Sequence, residues 1–209
     1  DSSSSRGLGD VYKRQAMYLD GCFMLAERNA DFYHNKCMRL VPNHARNILI
    51  IGGGDCAVAS TLLIKNKVES IDVVEIDKKV IDTSRKYFTK YFNLSSNQKK
   101  HLNLIIDDGI KFVKEANMSY DCIIIDSTDP VGIAKGLISK SFLKKCHGIL
   151  LKKGVIIQQA GSPIKDRKKI INPMIQRYKE AGLINVNLHS FSMPLYPTGT
   201  WSFLTAERA

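Results

Sequence analysis

The amino-acid sequence predicts an α/β fold in which a mostly parallel sheet is flanked by helices. Three observations carry that reading. From Asn47 onward, short apolar runs alternate with helical stretches, the signature of β-α-β units. The runs are β-branched and nearly continuous in apolar character, as strands covered on both faces are. Acidic residues gather where those runs end, the edge at which open α/β sheets bind ligands.

Taken in order, residues 1–15 (DSSSSRGLGDVYKRQ) are rich in Ser and Gly, have no periodicity, and read as a disordered or non-native leader. Residues 16–46 open with Ala16-Met17-Tyr18-Leu19-Asp20-Gly21, a strand running into a turn. A polar, mixed stretch then leads to Val41-Pro42-Asn43, whose proline marks a boundary. Residues 47–209 form the main domain, with predicted strands at 48–51, 71–76, 102–106, 121–125 and 154–159. Helices are expected near 56–66, 78–91, 109–116, 139–151 and 165–181. Two edge strands, 185–191 and 200–206, are separated by Pro194, Pro197 and Gly199, and one of them is expected to be antiparallel. No internal repeat is present.

Composition narrows the function. The 209 residues are 44% hydrophobic and 24% charged, ordinary globular values for one domain with a real core. No apolar run approaches the ~20 residues of a membrane span, and no secretory signal is read. Five cysteines, odd in number and without a CxxC pair, suggest neither a zinc site nor a disulfide framework, but reduced thiols in a cytoplasm. The net charge is +11, from 31 Lys+Arg against 20 Asp+Glu. The basic residues are mostly dispersed lysines, and their densest cluster (Lys165, Arg167, Lys168, Lys169) reads as one exposed helix start. Nucleic-acid binding is therefore not expected.

Four strand ends carry the chemistry. Ile51-Gly52-Gly53-Gly54-Asp55-Cys56 lies between a strand and a helix, where glycines permit a tight turn and close approach of a ligand. Glu75 ends the next strand, where a carboxylate can accept both hydroxyls of a ribose, or else simply face solvent. Asp55 stands beside the glycine loop. There it would repel an amino-acid carboxylate and attract an amine, so it argues for a decarboxylated cofactor; it can equally cap the helix. Ile106-Asp107-Asp108-Gly109 ends the third strand, with Asp108 either meeting an adenine amine or capping a helix, two readings of equal weight. Asp126-Ser127-Thr128-Asp129-Pro130-Val131-Gly132 ends the fourth. Two carboxylates in one crevice suit a cationic substrate, and one of them can take a proton; the bland alternative is an Asx-turn.

These runs, ILIIGGGD, VEID with SRKYF after it, DDG, DSTDPVG and YPTG at 196–199, resemble the spermidine synthases, a family of polyamine aminopropyltransferases. Leu19-Asp20-Gly21, Glu27-Arg28 and Tyr33-His34 resemble the same enzymes. The resemblance spans about residues 17–206 and implies a Rossmann-like domain of the methyltransferase type, preceded by the remnant of an N-terminal β-hairpin domain. It also implies aminopropyl transfer from decarboxylated S-adenosylmethionine to putrescine, giving spermidine and methylthioadenosine, with no metal. Gly52, Gly54 and Gly109 would shape the cofactor site. Asp55 and Asp126 would hold the aminopropyl amine, Glu75 the ribose and Asp108 the adenine amine, with His34 helping to place the cofactor. Asp126 would also act as general base, Asp129 would hold the diamine, and Tyr33 and Tyr196 would line its channel. A homodimer or homotetramer is implied for a full-length protein.

Several positions depart from the family. Cys56 replaces a glycine, Ser60-Thr61 an Arg-Glu pair, Asn35 a glutamate, Ile133 a proline and Met24 a glutamine. A longer N-terminal β segment and further C-terminal helices are also expected from the family, so the chain reads as truncated at both ends. The competing readings are a methyltransferase using intact S-adenosylmethionine, a non-catalytic homologue, and, on charge alone, a nucleic-acid modifier.

Overall fold

The computed structural model describes residues 15–19, 22–27, 30–65, 68–128 and 132–209. It opens with an antiparallel hairpin, β1 (Ala16–Leu19) and β2 (Cys22–Ala26), which is bulged between Met17 and Tyr18. Helix α1 (Ala30–Leu40) follows, where the sequence suggested only a polar, mixed stretch. Its buried residues are Ala30, Tyr33, His34 and Cys37, which is helical spacing written in residues that are not plainly apolar.

The main sheet is built from β3 (Asn47–Gly52), β4 (Ser70–Glu75), β5 (Leu102–Ile106), β6 (Tyr120–Asp126), β7 (Leu150–Gly161), β8 (Ile184–Ser192) and β9 (Thr200–Glu207). Between the strands lie α2 (Ala57–Lys65), α3 (Lys78–Tyr87), the single turn α4 (Ser96–Lys99), α5 (Gly109–Glu115), α6 (Lys140–Ile149) and α7 (Asn172–Glu180). The strand order is β5-β4-β3-β6-β7-β9-β8, and the first five are parallel. Only β9 runs against the rest, inserted between β7 and β8.

Central β3 and β6 alternate their side chains between two cores, as the two-residue period of a strand requires. Leu49, Ile51, Ile123 and Ile125 share one cluster with residues of α5, α6 and α7, while Ile48, Ile50, Cys122 and Ile124 share the other with α1 and α2. All eight are at most 2% exposed. Each such isoleucine or leucine contributes about 1.5–3 kcal/mol of burial. The start of β3 is fixed by Asp121 Oδ2, which accepts from the amides of Arg46 and Asn47 at 2.9 and 2.8 Å. Inside the sheet, buried Asp72 accepts from Tyr120 at 2.7 Å and Asn103 at 2.8 Å, so its burial is compensated.

Three boundaries and one burial pattern differ from expectation. The helix read over 78–91 stops at Tyr87 and resumes after Phe88 as one 3-10 turn, Thr89–Tyr91. The helix read to 151 ends at Ile149, because fully buried Leu150 pairs with Tyr120 and already belongs to β7. The region 165–181 divides into a π-helical turn, Arg167–Ile171, and α7, with Pro173 in the first turn of α7, where its missing N–H is harmless. Finally, β5 is an outer strand, so its side chains are not covered on both faces and Ile106 is 54% exposed.

Candidate active site

The register of the parallel strands brings the four predicted strand ends together. Gly52 lies beside Asp126, and Glu75 beside Ile106. Gly52 and Gly53 turn the chain at φ +80° and +63°, and the Gly53 amide donates to the Asp126 carbonyl at 3.0 Å. A Cβ on Gly52 would stand 2.2 Å from that carbonyl oxygen, and one on Gly54 would stand 2.6 Å from Glu75 Cγ. The glycines are thus required by the closeness of strands β4 and β6 to the loop.

Cys56 adopts φ +60°, the left-handed conformation that suits the family's glycine. Its side chain is fully buried, so the loop accommodates the extra atoms rather than opening. Ser60 and Thr61, in place of a charged pair, donate back to the Ala57 carbonyl at 3.1 and 2.8 Å.

Glu75 is 8% exposed, accepting from the Gly54 amide at 3.1 Å and the Asp77 amide at 2.9 Å. Burial raises its pKa even though those amides oppose the shift. Asp55 Oδ1 accepts from the Ala57 amide at 2.9 Å, so the capping interaction is present. Burial, and then the charge of Asp126, push the Asp55 pKa up to about 7. Asp126 Oδ1 accepts from the Tyr33 hydroxyl at 2.5 Å, across to α1. Burial pushes the Asp126 pKa up to about 6, with Glu75 adding to the rise and the Tyr33 bond opposing it. Among the described residues no lysine, arginine or histidine forms an ion pair with either aspartate.

Aromatic rings form one wall. The Tyr33 centroid lies 4.8 Å from Phe203 and 6.4 Å from Tyr196, and Tyr196 meets Trp201 at 4.5 Å. His34 follows Tyr33 on α1 and is 4% exposed, its Nδ1 without a hydrogen-bond partner among the described residues. Burial, with Lys90 nearby, lowers its pKa to about 3, so the ring is neutral. Asp108 caps α5 by accepting from the Ile110 amide at 2.8 Å, and Gly109 must be small because a Cβ there would stand 2.4 Å from Ile51 Cγ2. Asp129 lies outside the described residues, as do Asp20, Gly21 and Arg28.

Gln159 was not anticipated. Its Nε2 donates to the Ser127 carbonyl at 3.0 Å and its Oε1 accepts from Trp201 Nε1 at 3.0 Å, tying the loop after Asp126 to β9. The polar pair Gln158-Gln159, directly after the apolar run Val155-Ile156-Ile157, is the available signal. Among the described residues, no cluster of three or more His, Cys, Asp or Glu is placed to hold a metal ion.

Sheet order, glycine loop and acidic strand ends define a Rossmann-like domain of the methyltransferase type. The chain belongs to the spermine/spermidine synthase family, whose domain model matches residues 30–209. It is 41% identical to a polyamine aminopropyltransferase of Methanocaldococcus jannaschii, over 93% of this chain and 66% of the relative. A polyamine aminopropyltransferase of Thioalkalivibrio sulfidiphilus is 39% identical, over 89% and 66%. A crystal structure of spermidine synthase in complex with the transition state analogue AdoDATO superposes with a TM-score of 0.82 at 28% identity, covering 93% of this chain and 66% of that one. Spermidine synthase from Thermotoga maritima gives a TM-score of 0.78 at the same identity. The chain therefore spans just under two thirds, 66%, of the length of these curated relatives.

Proposed function

We propose that the chain is an aminopropyltransferase that moves the aminopropyl group of decarboxylated S-adenosylmethionine to putrescine, giving spermidine and methylthioadenosine. The observation that carries this is the pair Asp55 and Asp126, two half-buried carboxyls at the glycine loop with raised pKa values and no cationic partner among the described residues. A site of this kind takes up positive charge, because an arriving ammonium restores both carboxyls to the ionised form. It disfavours a ligand carrying a carboxylate beside the loop.

In this reading the donor supplies a carbon made electrophilic by its sulfonium. The chain's own residues do the rest. Glu75 holds the ribose, Asp108 meets the adenine amine above Gly109, and Gly52 and Gly54 let the backbone approach. Asp55 and Asp126 receive the aminopropyl amine, and His34 helps to place that group. Asp126 then accepts a proton from the attacking amine, for which a carboxylate with a pKa of about 6 is suited near neutral pH. Tyr33 orients Asp126 through its 2.5 Å bond and, with Tyr196, lines the path of the diamine. Asp129 is proposed to hold the diamine's second nitrogen. Positioning and exclusion of water supply most of the acceleration, since a sulfonium already leaves readily.

No described helix is long and apolar enough to cross a membrane. The described thiols, Cys37, Cys56, Cys122 and Cys146, are all free and buried, which suits a reducing, cytoplasmic setting. A homodimer or homotetramer is proposed for the full-length protein on the family resemblance alone.

One observation favours a second reading, a methyltransferase using intact S-adenosylmethionine: Asp55 already has a structural task at the Ala57 amide. Calorimetric titration with decarboxylated and intact cofactor separates the two. Tighter binding of the decarboxylated form, lost in Asp55→Asn, and methylthioadenosine release on adding putrescine are expected. Preference for the intact form would overturn the proposal.

A further inference from the structure

Tyr196 has a neighbour that does not come from the main domain. The Phe23 ring, carried by β2 of the hairpin, meets it edge-on at 5.8 Å with an interplanar angle of 76°. Phe23 is half-buried and is itself met edge-on by Tyr18, its partner in the hairpin register, at 5.5 Å. Tyr18 is 61% exposed. The rings thus form a continuous path. It starts at Asp126, passes Tyr33 and Tyr196 in a 6.4 Å step, reaches Phe23 after a further 5.8 Å, and ends at solvent beside Tyr18.

We propose that Phe23 is the end wall of the acceptor channel and sets the length of amine that the site accepts. The inference rests on the aminopropyltransferase reading above. An amine whose reacting nitrogen sits at Asp126 and whose chain lies along Tyr33 and Tyr196 points its far end at Phe23. The ring is too large to let additional methylenes past, and its apolar edge offers nothing to a second ammonium that overshoots. Removing the ring opens the path toward Tyr18 and the surface, so longer amines gain room while short ones lose a contact. A methylene accommodated or excluded in an apolar pocket changes selectivity roughly tenfold or more.

The test is a ladder of putrescine, cadaverine and spermidine, titrated calorimetrically into the full chain with methylthioadenosine present and assayed in parallel for turnover. Phe23→Ala is compared with Phe23→Leu, which keeps an apolar anchor for the hairpin should the alanine variant fail to fold; melting curves decide which variant is read. The expected result is a cadaverine-to-putrescine affinity ratio raised about tenfold in Phe23→Ala, with Phe23→Leu intermediate. An unchanged ratio, or equal weakening of all three amines, would show that Phe23 merely packs the hairpin and would overturn the proposal. Binding without turnover in the unmodified chain would sink the enzymatic reading, while a shifted ladder would still support Phe23 as the end wall. If no amine binds the unmodified chain, both ideas fall.

Discussion

The Tyr33 hydroxyl donates to Asp126 Oδ1 across 2.5 Å, joining helix α1, which precedes the main sheet, to the end of its central strand β6. The bond holds the Asp126 pKa below the value that burial alone would give.

Tyr33→Phe removes that donor and nothing else. The Asp126 pKa should then climb above about 6, so less of the base is ionised at neutral pH. The acid limb of the kcat/KM profile is expected to move to higher pH. Activity at pH 7 should fall about twofold to fifteenfold, the loss of ionised base when about 1.5–3 kcal/mol for a hydrogen bond to a charged group moves the pKa up by roughly 1–2 units. An acid limb that stays in place would show that Asp126 is not the base.

Asp55 and Asp126 should make the unligated protein more stable in mild acid than at neutral pH, partly offset by His34, which stays neutral down to about pH 3 in the folded state. Folded Asp55 and Asp126 hold a proton up to about 7 and about 6, against an ordinary value of 3.8. Their contribution is fully present below about pH 4 and is lost as the pH rises through those values. The slope is at most about 1.4 kcal/mol per pH unit for each group. Urea denaturation at pH 5 and pH 8 checks this. Asp55→Asn should flatten the dependence.

At position 56 shape matters more than chemistry. With φ at +60°, Cys56→Gly should be tolerated within about 1 kcal/mol, the loss of a small buried side chain being offset by relief of left-handed strain. Cys56→Val should cost more than about 2 kcal/mol, because a branched Cβ is least tolerated there. Equal denaturation midpoints for the two variants would contradict this.

Gly52→Ala offers the sharpest steric test. Its Cβ would approach the Asp126 carbonyl oxygen to 2.2 Å at φ +80°, so a loss above about 2 kcal/mol is expected, together with loss of nucleoside binding. Gly148→Ala, inside α6 with nothing within 4 Å of the added carbon, should instead stabilise by up to about 1 kcal/mol.

The parallel core was legible because β3 and β6 are written in isoleucine and leucine, whose burial on two faces leaves no doubt about period. Helix α1 was not, since Tyr33, His34 and Cys37 are buried for the sake of the site and do not look like a core face. The glycine loop, Glu75, Asp55, Asp108 and Asp126 could be named from their places at strand ends. Their register, which sets Gly52 against Asp126, depends on strand pairing that no local pattern encodes. Phe23 was invisible for the same reason, as its meeting with Tyr196 joins residues far apart in the chain. Gln159 is legible in principle, as a polar residue next to the apolar run of its strand.

The position of β9 bears on how the molecule comes into being on the ribosome. Strand β8 is synthesised first, yet its neighbour in the sheet is β9 rather than β7. While Thr200–Glu207 is still inside the exit tunnel, β7 presents a raw edge and β8 has nowhere to dock except that edge, in a wrong pairing. Correct assembly adds the β8–β9 hairpin to the edge of β7 through β9, a late step that waits for the last of these strands. The yield of folded protein is therefore expected to be sensitive to the short stretch Met193–Gly199 that turns the chain back into that hairpin.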